Sequence, residues 1–312
     1  MRKSALLAHE LGRYSIDVAA LSETRFSGEG SIVEGDDKQG YTMFWRGYPS
    51  GQPRIHCVGL AIKNSLLKNI TEEPTYISER LMTLRIPLVK GEYALIICAY
   101  APILAAEEGI KDQFYSDLEL VLRGANRRDR ILLLGDFNAR VGDRSDLWDG
   151  VIGPHGIGKM NNNGQRLLSL CSEYDLVITN TLFKLKNQYK TSWMHPRSRQ
   201  WHLIDYVIVR KSHAREVMLT KAMRGAECWT DHRLILSKMS MKIRPPIRKK
   251  SKPIRKINCA SLKDETKRNS YTERVREIVN ATSFPSSSKF TSEESDSLSE
   301  KLLIEAAEAL GY

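Results

Sequence analysis

Apolar residues fall in short blocks along this chain, and most blocks stop abruptly at a polar residue. Leu6, Leu7, Leu11 and Tyr14 repeat at helical spacing and predict an amphipathic helix over residues 3–14. The stretch "IDVAALSE" (16–23) reads as a strand, apolar until it ends in Ser22-Glu23. Further strands are predicted at "YTMFW" (41–45), "HCVGLAI" (56–62), "RLMTLRIPL" (80–88) and "YALIICAY" (93–100), all rich in β-branched, aromatic and aliphatic residues. A helix over about 110–124 precedes "ILLLGDFNARVG" (131–142), which reads as a strand buried on both faces. "NNNGQRLLSLCSEYDL" opens with Asn capping candidates and continues as a helix, and "LVITN", "HLIDYVIV" and "HRLILSKM" are later strands. Strand runs followed by helices, without strict alternation, predict an α/β fold of mixed sheets with helices packed outside them.

Composition narrows the partners. A net charge of +11 and a pI near 9.4 favour an anionic partner such as nucleic acid or a membrane surface, although a basic surface also serves solubility alone. Cys57, Cys98, Cys171, Cys228 and Cys259 are scattered and odd in number, which argues against a disulfide framework or structural zinc and fits a reducing compartment. No apolar run is long enough to span a membrane, and His9, Glu10 and Arg13 interrupt any signal-like segment.

Near residue 240 the composition changes. Residues 242–256, "KIRPPIRKKSKPIRK", carry eight Lys or Arg, three prolines and no acid, and read as a basic linker. A Ser-rich stretch at 283–300 reads as a flexible loop, and "LSEKLLIEAAEAL" as a short amphipathic helix. Residues 1–240 are therefore expected to form one domain and 241–312 a basic linker with a partly helical tail.

The polar residues at the strand ends carry the candidate chemistry. Asp136 and Asn138 lie two apart after a buried strand, so in extended chain they point the same way. Asp and Asn are also common turn formers, and this stretch alone leaves both readings open. Glu23, Tyr100, Asp205 and the pair Asp231-His232 also stand at strand ends. Carboxylates buried there are costly unless paired, protonated or bound to metal. Three Asp, one Glu and one His so placed point to a Mg²⁺ site with an acid/base group, and favour the catalytic reading of Asp136 over a simple turn. Trp193, His195, Arg197, Arg199, Trp201 and His202 form an aromatic and basic loop. It either lies against DNA or packs around a buried Trp193.

Taken together, "IDVAALSETR", "ICAYAP", "LLLGDFNARVG", "TSWMHPRSRQWHLIDYVIVR" and "CWTDHRLI" resemble the endonuclease/exonuclease/phosphatase superfamily, and more narrowly the endonuclease domains of non-LTR retrotransposons and their domesticated relatives. The resemblance covers about 1–240. It implies a four-layer α/β/β/α sandwich of two mixed sheets flanked by helices. It also implies DNA as partner and hydrolysis of phosphodiester bonds, with Mg²⁺ as cofactor and Mn²⁺ as the alternative cation. Glu23 resembles the family's metal ligand, and Asp231 a carboxylate at or beside the metal. Asp136 resembles the residue that positions and deprotonates the attacking water, Asn138 the residue that orients it, and Tyr100 the phenol that contacts the phosphate. Asp205 and His232 resemble the Asp–His pair whose cationic ring stabilises the transition state.

A phosphatase acting on inositol phosphates is disfavoured, because "LIDYVIV" stands where a different signature is expected around the later Asp. The family's domain begins with a strand carrying an Asn, whereas this chain starts in the helix that follows. The resemblance therefore implies an N-terminally truncated domain, with a catalytically impaired remnant that binds nucleic acid or protein as the alternative. It further implies an intracellular, nuclear setting and a tail leading toward a reverse transcriptase outside these 312 residues. Nothing in it sets an oligomeric state.

Overall fold

The computed structural model describes residues 2–47, 56–227, 230–245 and 259–281, together with 302, 304, 306 and 308. Helix α1 (Lys3–Arg13) leads into β1 (Val18–Ser22), β2 (Glu29–Glu34), β3 (Tyr41–Arg46) and β4 (Val58–Lys63). After α2 (Asn64–Leu67) come β5 (Thr75–Ser78), β6 (Leu81–Pro87), β7 (Tyr93–Tyr100), α3 (Glu108–Gly124), β8 (Arg130–Asp136) and α4 (Asn162–Glu173). The remainder is β9 (Leu176–Ile178), β10 (Trp193–Met194), β11 (Trp201–His202), β12 (Asp205–Arg210), β13 (Val217–Met223), β14 (Leu234–Met239) and α5 (Glu265–Ala281). No helix among the described residues is long and apolar enough to cross a membrane.

Two sheets stack face to face. The smaller has the order β1-β4-β3-β2 and is antiparallel throughout. The larger has the order β5-β6-β7-β8-β12-β9, with β7 and β8 parallel, so the expected mixture of strand directions is carried by this sheet alone. β13 and β14 form a separate antiparallel pair, and β10 and β11 a short hairpin.

The burial pattern explains the layers. Along β7, Ala94, Ile96, Cys98 and Tyr100 pack between the sheets with Leu60 and Ile62 of β4. Their neighbours Leu95, Ile97 and Ala99 pack on the other side, against Phe114 and Leu118 of α3 and Leu167 of α4. A strand buried on both faces has no polar face, which is why "YALIICAY" reads as an unbroken apolar run. On the outer face of the smaller sheet, Leu11 of α1 meets Ala19, Tyr41, Met43 and Ala61. The result is the expected four-layer α/β/β/α sandwich. Each large aliphatic side chain buried in these layers stabilises the fold by roughly 1.5–3 kcal/mol.

Polar contacts also join the two sheets. The Cys98 thiol donates to the carbonyl of Gly59 at 3.3 Å and lies 3.7 Å from that of Leu21. Two residues further along β7, Tyr100 donates to Glu23.

Five strands escape the sequence pattern, two of them the short β10 and β11 within the expected aromatic and basic loop. β2 and β5 lie at sheet edges with alternating exposure, and β13 leaves Met218 exposed, so none shows a continuous apolar run. α5 has few apolar residues, so the pattern does not single it out within the expected partly helical tail. The domain also continues past residue 240: Val89 N–H donates to Lys242 O at 3.0 Å and Arg244 N–H to Pro87 O at 3.0 Å, with Leu88 bridged to Ile243. The start of the basic run is thereby part of the domain, and the first compact unit is Met1–Ile247. The rest of that run, the Ser-rich stretch and the Cys228-Trp229 dipeptide lie outside the described residues. The second compact unit, Arg248–Tyr312, contains α5 and helical residues at 302, 304, 306 and 308, with Arg274 paired to Glu308 at 3.0 Å.

Candidate active site

Three strand ends line up. In register, Tyr100 of β7 stands beside Asp136 of β8, and Asp136 stands opposite Asp205 of β12. Residues directly opposite one another in a sheet share a face, so the phenol and both carboxylates emerge together. His232, just before β14, completes the group: its Nδ1 lies 2.9 Å from Asp205 Oδ2. Asp136, Asp205 and His232 each offer a ligand atom, and these atoms all lie within 4.8 Å of one another.

Backbone geometry at the rim is specialised. Gly135 has φ +142°, and a Cβ there would lie 1.9 Å from the carbonyl oxygen of Ala99 on β7. Glycine is what lets β8 approach its neighbour closely just before the carboxylate. Asn138 adopts φ +47°, donates its backbone N–H to Asp136 Oδ1 at 2.8 Å and its side-chain amide to Ala101 O at 2.9 Å. The turn that the strand-end pattern argued against is therefore present, and it fixes one oxygen of Asp136. Glu23 also has a left-handed backbone, φ +54°, and accepts from the Tyr100 hydroxyl at 2.5 Å. Non-glycine residues held in this region are strained by about 1–3 kcal/mol, and such strain clusters at functional sites.

The electrostatics follow from crowding these groups together. Burial above all, then the charge of Asp205, pushes the Asp136 carboxyl well above the usual carboxylate range, against the pull of His232 and the Asn138 N–H. Burial is also the largest single influence on His232 and opposes its charge. The hydrogen bond to Asp205 and the charges of Asp205, Asp136 and Asp231 outweigh it and push the imidazole up to about 9. Burial and the bond to Glu23 raise the Tyr100 phenol, keeping it a proton donor.

The two expected metal ligands stand outside the tight group but line the same cleft. Glu23 is tied to Tyr100, while Asp231 accepts from Trp193 Nε1 at 2.9 Å. Partial burial pushes Asp231 up, but the Trp193 bond and the His232 charge prevail and hold it below the usual range. Hard oxygen donors crowded beside a buried carboxyl fit a small divalent cation, which would relieve the like-charge repulsion.

The aromatic and basic loop divides in two. Trp193 is half-buried, its ring beside those of His195, His202 and His232, so it braces the site. Arg197 and Arg199 are exposed in the hairpin between β10 and β11, with Arg199 at φ +57°. His195 Nδ1 accepts from Ser198 N–H, and Trp201 is exposed on one side with Arg233 over its ring at 3.3 Å.

Sequence reasoning missed the residues that hold these groups. Buried Ser192 accepts from the backbone N–H of Ile204 and Asp205. Asn180 donates to Asp205 O and accepts from Val207 N–H, bridging the first residues of β12 along one edge. Asn163 donates to Pro102 O and Asn138 O, both at 3.0 Å, tying the two rim loops to α4. Only Asn163 had a signal, in the Asn run that also supplies Asn161 as the helix cap.

Known proteins bear on this arrangement. The family model described as endonuclease/exonuclease/phosphatase family matches residues 1–232. Craniofacial development protein 2 of Bos taurus is 32% identical over 257 residues, covering 82% of this chain and 41% of that protein. The chain spans less than half the length of the relatives it matches, 41% and 46%. Among solved structures, the catalytic domain of Xenopus laevis APE2 aligns with TM-score 0.56 at 17% identity, covering 77% of this chain and 88% of that one. An AP endonuclease from Archaeoglobus fulgidus aligns with TM-score 0.52 at 16% identity, covering 76% and 95%. At such identities the structural likeness speaks for the fold, and the sequence match for kinship. By its match over residues 1–232, this chain belongs to the endonuclease/exonuclease/phosphatase family.

Proposed function

We propose that the chain is a Mg²⁺-dependent endonuclease that hydrolyses phosphodiester bonds of DNA, nicking a target duplex in a nuclear setting as part of a retrotransposon-derived protein. The observation that carries this reading is the grouping of Asp136, Asp205 and His232 within 4.8 Å beside the Tyr100–Glu23 pair. Family membership supports the coarser statement, a hydrolase of the nuclease and phosphatase type. The net charge of +11 supports a polyanionic substrate.

Each residue then has a task. Asp136, in its ionised form, accepts a proton from the attacking water, and Asn138, its amide nitrogen held by Ala101 O, orients that water through its amide oxygen. The water oxygen bonds to phosphorus as the bond to the leaving sugar oxygen breaks, and that oxygen is protonated from solvent. His232, charged because Asp205 holds it so, faces the negative oxygens of the transition state. Tyr100 contacts a phosphate oxygen from the other side. Held by Glu23 and Asp231 with the neighbouring carboxylates, Mg²⁺ would neutralise phosphate charge and favour ionised Asp136.

Nicking of supercoiled plasmid by the 312-residue chain, with Mg²⁺ or with EDTA and beside Asp136→Ala, tests the proposal. Metal-dependent nicking absent from the variant supports it. A folded protein that binds plasmid without nicking it favours the second reading, a catalytically impaired nucleic-acid binder.

A further inference from the structure

His232 reaches Asp205 from a stretch outside the strands: β14 begins only at Leu234, and His232 itself is joined to Trp193 by an isolated β-bridge. Thr230 adds a local bond, its hydroxyl accepting from the His232 N–H at 3.2 Å. The ring nonetheless stands 2.9 Å from the Asp205 carboxylate. A constellation of this kind works only if its members are held to within about 0.5 Å by the groups around them. The next residue along the chain supplies that hold.

Successive side chains of extended chain point opposite ways, so while His232 faces Asp205, Arg233 faces the segment before β10. Its backbone N–H donates to Ser192 O at 2.6 Å. Its guanidinium Nη1 donates to Gln188 O at 3.1 Å and Thr191 Oγ1 at 3.0 Å, with Thr191 O at 3.4 Å. The guanidinium carbon lies over the Trp201 ring, 3.3 Å from its centroid. These acceptors are two carbonyls and a hydroxyl, so shape rather than charge pairing holds the group. The same short stretch serves Asp205, whose N–H donates to Ser192 Oγ at 3.2 Å. Both halves of the Asp205–His232 pair are thereby placed from residues 191–193.

We propose that Arg233 is a positioning residue: its guanidinium locks residues 230–233 onto the 188–193 segment and the face of Trp201, and so sets His232 against Asp205. Lysine cannot take its place, because a point charge on a flexible stem offers neither a planar group to stack on the indole nor a fixed fork of donors. Trp201 gains a task as well, since its ring, 38% exposed, is the seat of the guanidinium. The inference rests on the reading of His232 as the charged group facing the transition state, where a misplacement of about 1 Å can cost about 10²-fold in rate.

Arg233→Lys and Trp201→Leu in the 312-residue protein test it through two readouts. The first needs no activity: without DNA or metal, amide hydrogen exchange at position 233 should quicken roughly tenfold or more in both variants while β7 keeps its protection. The second is steady-state nicking of supercoiled plasmid with Mg²⁺, in which Arg233→Lys should lower kcat about tenfold or more and leave KM within about twofold. Unchanged exchange in either folded variant would overturn the proposal. So would a raised KM with kcat kept, which would make Arg233 a substrate contact. Absence of nicking by the unaltered protein would strike the catalytic reading alone, and the exchange rates would still decide whether Arg233 anchors the segment.

Discussion

Tyr100 donates its phenolic proton to Glu23 at 2.5 Å, and the two residues come from different sheets, Tyr100 ending β7 and Glu23 following β1. The bond ties a strained backbone position to the row of catalytic candidates. Tyr100→Phe keeps the ring and removes the bond. A hydrogen bond to a charged acceptor contributes about 2 kcal/mol, so the urea midpoint should fall by a corresponding amount. Nicking should fall with it, and a variant with unchanged midpoint would show that the bond carries no stability.

His232 makes stability depend on pH. Its imidazole is pushed up to about 9 in the folded protein, against about 6.5 in an unfolded chain. The charged ring's contribution is therefore complete below about pH 6.5 and is lost as pH rises through about 9. In EDTA, stability should decline across that window, and Asp205→Asn should shrink the decline because the ring loses its hydrogen-bonded carboxylate. Proton NMR of the His232 ring checks the assignment directly, and titration below about 6.5 in the unaltered protein would contradict it.

Asp136→Asn should separate activity from stability. Burial and Asp205 raise the Asp136 carboxyl, so its protonated form is favoured in the folded state. That contribution is present at acid pH and lost as pH rises through the raised value. Asn cannot ionise, so in EDTA at neutral pH the variant should melt higher than the original protein. Its nicking should drop by about 10²-fold or more. A lower melting temperature would mean the carboxylate is better accommodated than its surroundings indicate.

Gly135→Ala should be among the most damaging single-atom-scale changes in the fold. The new Cβ would meet the Ala99 carbonyl at 1.9 Å from a backbone with φ +142°. Strain of this kind costs about 1–3 kcal/mol before the collision is counted. Loss of stability greater than that of Tyr100→Phe is expected from chemical denaturation.

The central strands were legible because burial on both faces writes a continuous apolar run: "YALIICAY" coincides with β7 from end to end. β2, β5 and β13 were not, since an edge strand needs only one covered face. Glu23, Asp136, Asp205 and His232 were legible as polar stops after or before apolar runs. Ser192, Asn163 and Asn180 were not, because their work lies in bonds to backbone atoms 12 to 61 residues away. Such partners exist only once the sheets are assembled.

The Tyr100–Glu23 bond and the Cys98 thiol both cross the plane where the two sheets meet. Glu23 rides on one slab of the sandwich, while Tyr100, Asp136 and Asp205 ride on the other. A sideways slip of one slab over the other, too small to break any ladder within either sheet, would already carry Glu23 away from its neighbours. On the proposed reading, then, the site depends on the registration of the two slabs, which a measure of secondary structure alone does not report.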